Sequence, residues 1–161
     1  MKVKVKLQRS AAVPALKNRH LFIRLLRQAL SLTGFAAEQE AVLQFVLLSP
    51  AEMTELNALH LGHQGATDVI TYDLRSENPL FSDQTEETVL AEIYLCPEIA
   101  ADNAKLYGQS ASRELLLYAV HGILHLQGEN DSTDEEKESM RKAEDKIMGA
   151  LPENLDKVEF L

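Results

Sequence analysis

The chain of 161 residues is 45% hydrophobic, holds one cysteine and carries a formal net charge of −9. That length and apolar content predict one globular domain over 1–161 with a single core, and a lone Cys96 excludes an internal disulfide and suits a reducing cytoplasm. The longest apolar run, Ala41 to Leu48, is interrupted by Gln44 and falls short of the roughly 20 residues a bilayer span needs.

Lys2 to Leu7 alternates strictly, with Val3, Val5 and Leu7 on one side and Lys2, Lys4 and Lys6 on the other. This predicts a strand with one wet face, suited to a sheet edge. No apolar signal region precedes it, so a cytoplasmic location is expected and a membrane partner is not. Residues 1–37 contain Lys2, Lys4, Lys6, Arg9, Lys17, Arg19, Arg24 and Arg27 and no acid; the other 124 residues set 25 acids against eight bases, or −17. Two readings stand for this basic segment: a phosphate-binding surface, or lysines and arginines on solvated faces. Net negative charge argues against DNA as a partner.

From Pro14 to about Thr33 the apolar residues recur at helical intervals, with Pro14 in the first turn and Gly34 at the end. Ala41 to Leu48 reads as a second strand. Ser49 is a candidate N-cap for a short helix with Pro50 first and Glu52 in its opening turn, carrying Met53, Leu56 and Leu59 inward and ending near Gly62. A polar turn over Gly62–Ala66 leads to a strand from Thr67 to Leu74. Residues 75–88 are polar, contain Pro79, and read as a loop or irregular hairpin. Val89 to Leu95 is the fourth strand. Pro97 opens a helix that stops at Gly108, and an apolar helix from about Ser112 to Gln127 follows. Thr133 with Glu136 forms a capping box for a last helix through about Gly149. Helices and strands in this order predict an α+β fold, a small four-stranded sheet packed by about five helices that mostly cover one face.

The chemistry concentrates in HGILHLQGEND, His121 to Asp131. Histidines four apart project from one helical face and can each give a nitrogen to one zinc ion. Gly128 can take the left-handed conformation that ends the helix, after which the chain returns Asp131 to a third position. The plain alternative is a buried helix with two hydrogen-bonded histidines. Against it stands the nearly all-round apolar run Leu115–Val120, which leaves a polar pair that something must satisfy. Zinc, one ion held by His121, His125 and Asp131, is the expected cofactor. The same frame serves zinc peptidases, but there a glutamate follows the first histidine as general base, and here that residue is Gly122. Cys96 reads as a small core residue, with an extra zinc ligand as the alternative.

HGILHLQGEND, with AEIYLCPEIA (Ala91–Ala100) and LNALHLGHQGATDVITYDL (Leu56–Leu74) before it, resembles the YbeY-type endoribonucleases, bacterial rRNA maturation factors. The resemblance implies a zincin-like fold and a single-strand-specific, zinc-dependent endoribonuclease. It implies action in 16S rRNA 3′-end maturation and ribosome quality control in the cytoplasm, with single-stranded rRNA and ribosome or small-subunit assembly factors as partners. It also places His121 and His125 as the first two zinc-binding histidines. Two departures follow from it. Asp131 stands where the family's third histidine stands, which adds negative charge and implies a somewhat higher working pH. His60 and Leu61 replace the family's Tyr-Arg pair, removing a guanidinium that would help a developing phosphorane. His63 is then the candidate catalytic donor, with an ordinary turn histidine as the alternative. RNA contacts are expected from the basic amino-terminal region, Asn57 and the Thr67–Asp68 strand entrance. Two rival readings remain: a ribosome-associated zinc-binding protein without nuclease activity, and a metallopeptidase-like hydrolase.

Overall fold

The structure is a computed structural model and describes residues 3–37, 40–60, 68–75, 88–151 and 159–161. Among these residues the elements run β1 (Val3–Arg9), α1 (Arg19–Thr33), β2 (Ala41–Leu47), α2 (Pro50–His60), β3 (Val69–Asp73), β4 (Thr88–Leu95), α3 (Pro97–Tyr107), α4 (Ala111–Leu126) and α5 (Asp134–Ala150). This is the α+β arrangement expected from the sequence. The strands lie in the order β1-β2-β4-β3. β1 and β2 are parallel, as are β2 and β4, and β3 runs antiparallel to β4. Parallel neighbours need a long crossover, which α1 supplies between β1 and β2.

Alternation along the strands sorts two faces. Val5, Leu7, Leu43, Phe45, Leu47, Ala91, Ile93 and Leu95 join α1, α4 and α5 in one core. Ile70, with Tyr72 and Tyr94 beside it, points the other way and meets Met53 of α2 and Cys96 in a small second cluster. Cys96 is fully buried, and burial pushes its thiol pKa up, as befits a core residue. β1 lies at the sheet edge with Lys4 and Lys6 exposed and Val5 and Leu7 buried, as its alternation predicts. At the carboxyl terminus, Phe160 stacks on Phe22 with centroids 4.6 Å apart, and the Phe160 amide donates to Ser112 Oγ at the start of α4.

Two sequence expectations are corrected. α1 begins at Arg19, not near Pro14: Asn18 caps it, its Oδ1 accepting from the Leu21 amide at 3.1 Å. Val13 and Leu16 do pack on the core, but from irregular chain, so their apolar spacing mimics a helical turn. Leu59 is 72% exposed rather than inward. At about 100° per residue it sits about 240° round the helix from Met53, whereas Asn57, about 40° round, is buried. The other element boundaries fall within two residues of those expected. The turn over Gly62–Ala66 and most of the 75–88 loop lie outside the described residues.

Candidate metal centre

α4 is the helix around which the site is built. It touches α1, α3, α5 and β3, and eleven of its residues, among them Leu115, Leu116, Ala119, Val120, Ile123 and Leu124, are buried. Surfaces on nearly every side of α4 explain its almost all-round apolar sequence. Ser110 caps its start by accepting from the Arg113 amide. Its end closes as a Schellman turn, in which the Gly128 amide donates to His125 O at 3.0 Å and the Glu129 amide to Leu124 O at 3.1 Å. Gly128 has φ +98°, a region costly for any residue with a Cβ. This turn reverses the chain and returns Asp131 over the last turn of α4.

The returned carboxylate completes a triangle of donor atoms. His121 Nε2 and His125 Nε2 are 3.0 Å apart, and Asp131 Oδ2 lies 3.3 Å from the first and 3.5 Å from the second. A tetrahedral ion with ligands about 2.0–2.1 Å away sets its donors about 3.3 Å apart. The three predicted residues therefore form a group that could hold a metal ion, and two imidazoles with one carboxylate suit a borderline cation such as zinc. Without an ion, a single proton shared between the two Nε2 atoms satisfies that contact.

The site opens on a cavity of about 380 Å³ lined by Asp68, Val69, Thr71, Asp73, Leu126 and the three donor residues, with Ile70 below. Arg75 lies at its mouth. Its Nε and Nη2 donate to both Asp73 oxygens, Nη2 also reaches Leu126 O, and its guanidinium sits 5.4 Å from the Phe35 ring centroid. These hydrogen bonds hold the Asp73 carboxyl below the usual carboxylate range. At roughly 6 Å and an effective dielectric near 20, one carboxylate repels a phosphate charge by about 3 kcal/mol. Three aspartates around one cavity therefore admit a phosphodiester only beside a compensating cation, which again fits a metal.

Sequence reasoning missed Glu144. Its Oε1 lies 2.6 Å from His121 Nδ1. Burial alone would pull the His121 imidazolium pKa down; the hydrogen bond to Glu144 and the charges of Glu144, Asp131 and Asp68 outweigh it and hold the value above that of an ordinary histidine. The available signal was an acid inside the apolar stripe of α5, between Met140 and the Ile147–Met148 pair, all buried. Asp73 and Arg75 were also missed, since nothing local marks them as neighbours of α4.

Gly122 has a packing reason. A Cβ there would stand 3.0 Å from Ile93 Cδ1 and Cγ2 and from Thr71 Oγ1. The helix approaches the sheet so closely that the glutamate of the peptidase frame has no room, and the metallopeptidase reading loses its base. Of the residues expected to meet RNA, Asn57 is buried, Asp68 lines the cavity, and β1 lies at the sheet edge opposite β3. His63 and Leu61 lie outside the described residues.

Comparison with known proteins gives a consistent result. Residues 5–152 match the family described as Endoribonuclease YbeY. The chain is 33% identical over 131 residues to the Endoribonuclease YbeY of Pelotomaculum thermopropionicum, covering 81% of this chain and 84% of that protein. It is 36% identical over 119 residues to that of Desulfitobacterium hafniense, covering 72% and 75%. The solution structure of TM1509 from Thermotoga maritima matches with a TM-score of 0.60 at 26% identity, over 96% of each chain.

Proposed function

This chain belongs to the YbeY endoribonuclease family, and on that premise we propose that it works as one zinc-dependent hydrolase domain, 1–161, cutting single-stranded ribosomal RNA. The proposal includes 16S rRNA 3′-end maturation and ribosome quality control in the cytoplasm, with the ribosome or small-subunit assembly factors as partners. The observation that carries it is the donor triangle, with edges of 3.0, 3.3 and 3.5 Å.

His121, His125 and Asp131 would hold the ion. When bound, zinc supplies Lewis-acid polarisation of a phosphoryl oxygen and lowers the pKa of a water toward neutrality. The chain's own residues do the rest. With part of its rim exposed at Asp131, the cavity receives substrate from solvent. Its volume of about 380 Å³ is that of a small-ligand pocket and takes one unpaired nucleotide rather than the width of a helix, which supports single-strand preference. With Leu61 in place of the family's arginine, His63 is the donor proposed for the phosphate oxygens, and the guanidinium of Arg75 stands at the cavity mouth. His63→Ala is then expected to abolish cleavage with zinc content unchanged; cleavage at wild-type rate would return His63 to the role of a turn residue.

The direct test incubates zinc-loaded protein and its His121→Ala variant with a single-stranded rRNA fragment, with and without chelator. Cleavage by the wild-type chain alone, stopped by chelator, is the expected result. Cleavage indifferent to chelator would overturn the zinc mechanism, and zinc uptake without any cleavage would favour the binding protein.

A further inference from the structure

The shortest polar contact of the centre joins it to a helix that contributes no donor atom. Glu144 Oε1 and His121 Nδ1 stand 2.6 Å apart, with the glutamate side chain 16% exposed. Its neighbours along α5, Met140, Ile147 and Met148, face the core. A carboxylate in such a stripe is costly to bury unless a specific partner compensates. Resting on the metal reading above, we infer that Glu144 is the positioning residue of the centre, fixing the tautomer and ring orientation of His121 from the side away from the ion.

A neutral imidazole has one N–H, and an ionised carboxylate can only accept. The contact therefore puts the proton on Nδ1 and leaves the Nε2 lone pair directed at His125 Nε2 and Asp131 Oδ2. Rotation of the ring about its χ2 axis would break this bond, so the orientation is held as well as the tautomer. Among the described residues His125 has no corresponding partner at its Nδ1, and its Nε2 is its point of contact. Of the two imidazoles, His121 is the one set in advance. Carboxylates acting behind a metal-binding histidine are worth 10- to 100-fold in metal affinity. The rival explanation is that Glu144 merely pins α5 to α4, in which case any loosening of α5 would have the same effect.

The test measures two quantities on the full chain. Long-range ¹H–¹⁵N correlation on apo-protein reads the His121 tautomer, and competition against a chromophoric chelator reads the zinc dissociation constant. Wild-type protein is expected to show the Nδ1–H form. Glu144→Gln, isosteric and still an acceptor, keeps that form and binds zinc about 10-fold more weakly. Glu144→Ala shifts the tautomer toward Nε2–H and weakens binding toward 100-fold. Met140→Ala, which loosens the same helix without touching His121, lowers the apo melting temperature and leaves tautomer and affinity as in wild type. An unchanged tautomer and affinity in Glu144→Ala, or an equal loss in Met140→Ala, would overturn the assignment. Wild-type protein that takes up no zinc, with the tautomer still lost in Glu144→Ala, would sink the metal reading while leaving the positioning contact intact.

Discussion

Glu114 shows how a single residue on α4 sets a stability cost. It is buried, and its Oε2 has no hydrogen-bond partner. Burial raises its pKa; Arg113 opposes this, while Asp68 and Glu144 reinforce it. The sign of the linkage follows. The folded chain keeps this proton at pH values where the unfolded chain has already released it, so stability falls as pH rises from about 4.5 through the raised folded value. Glu114→Gln removes the ionisation and keeps the shape. We expect it to raise the melting temperature at pH 7 and leave that at pH 4 little changed, as read by thermal unfolding across pH. A variant less stable than wild type at pH 7 would mean that the carboxylate has a compensating role.

At the scale of elements, the metal centre depends on how α4 ends. The Schellman turn sets the direction of the returning chain, and Gly128 at φ +98° has nothing within 4 Å of where a Cβ would stand. Gly128→Ala therefore introduces backbone strain without a clash, at about 1–2 kcal/mol. Relief of that strain would move Asp131 off the triangle. Weaker zinc binding along with the modest loss of stability is expected in a combined melting and metal-competition experiment; stability loss with full affinity would show that Asp131 tolerates the shift. Sequence signals of this local kind were readable. The Ser49–Glu52 and Thr133–Glu136 capping boxes form as expected, as does the glycine end of α4, because each involves residues three or four apart. His121, His125 and Asp131 were legible for the same reason. The start of α1 and the outward turn of Leu59 were not, since there apolar spacing is decided by which surfaces the chain passes. Glu144 was not legible either, because its partner lies 23 residues away on another helix and only the docking of α5 brings them together.

Across the whole molecule, the sheet joins the acidic cavity to the basic amino-terminal segment. Register places Arg9 opposite Leu47, Leu47 opposite Leu95 and Leu95 opposite Val69, so one row crosses all four strands from the basic edge to the residue beside Asp68. Three strand spacings make that crossing about 14 Å. At its far end Arg9 Nη1 donates to Val13 O at 2.8 Å and Arg19 Nη2 to Leu7 O at 2.6 Å, beside a cavity of about 540 Å³. Backbone carbonyls orient these guanidiniums without neutralising their charge, unlike Asp73 with Arg75. A long single strand threaded from the metal centre can set phosphates against both, whereas a short one that fills only the centre cannot. The double reversal Arg9→Glu, Arg19→Glu should therefore weaken binding of a long fragment and flatten its log K against log salt slope by about 1.4, the value for two single-strand phosphate contacts. Binding of the short fragment and kcat on it should stay at wild-type values. Equal losses on both fragments would mean that the reversal acts through the fold or the overall charge, and no loss on either would leave the basic edge as a solvated surface.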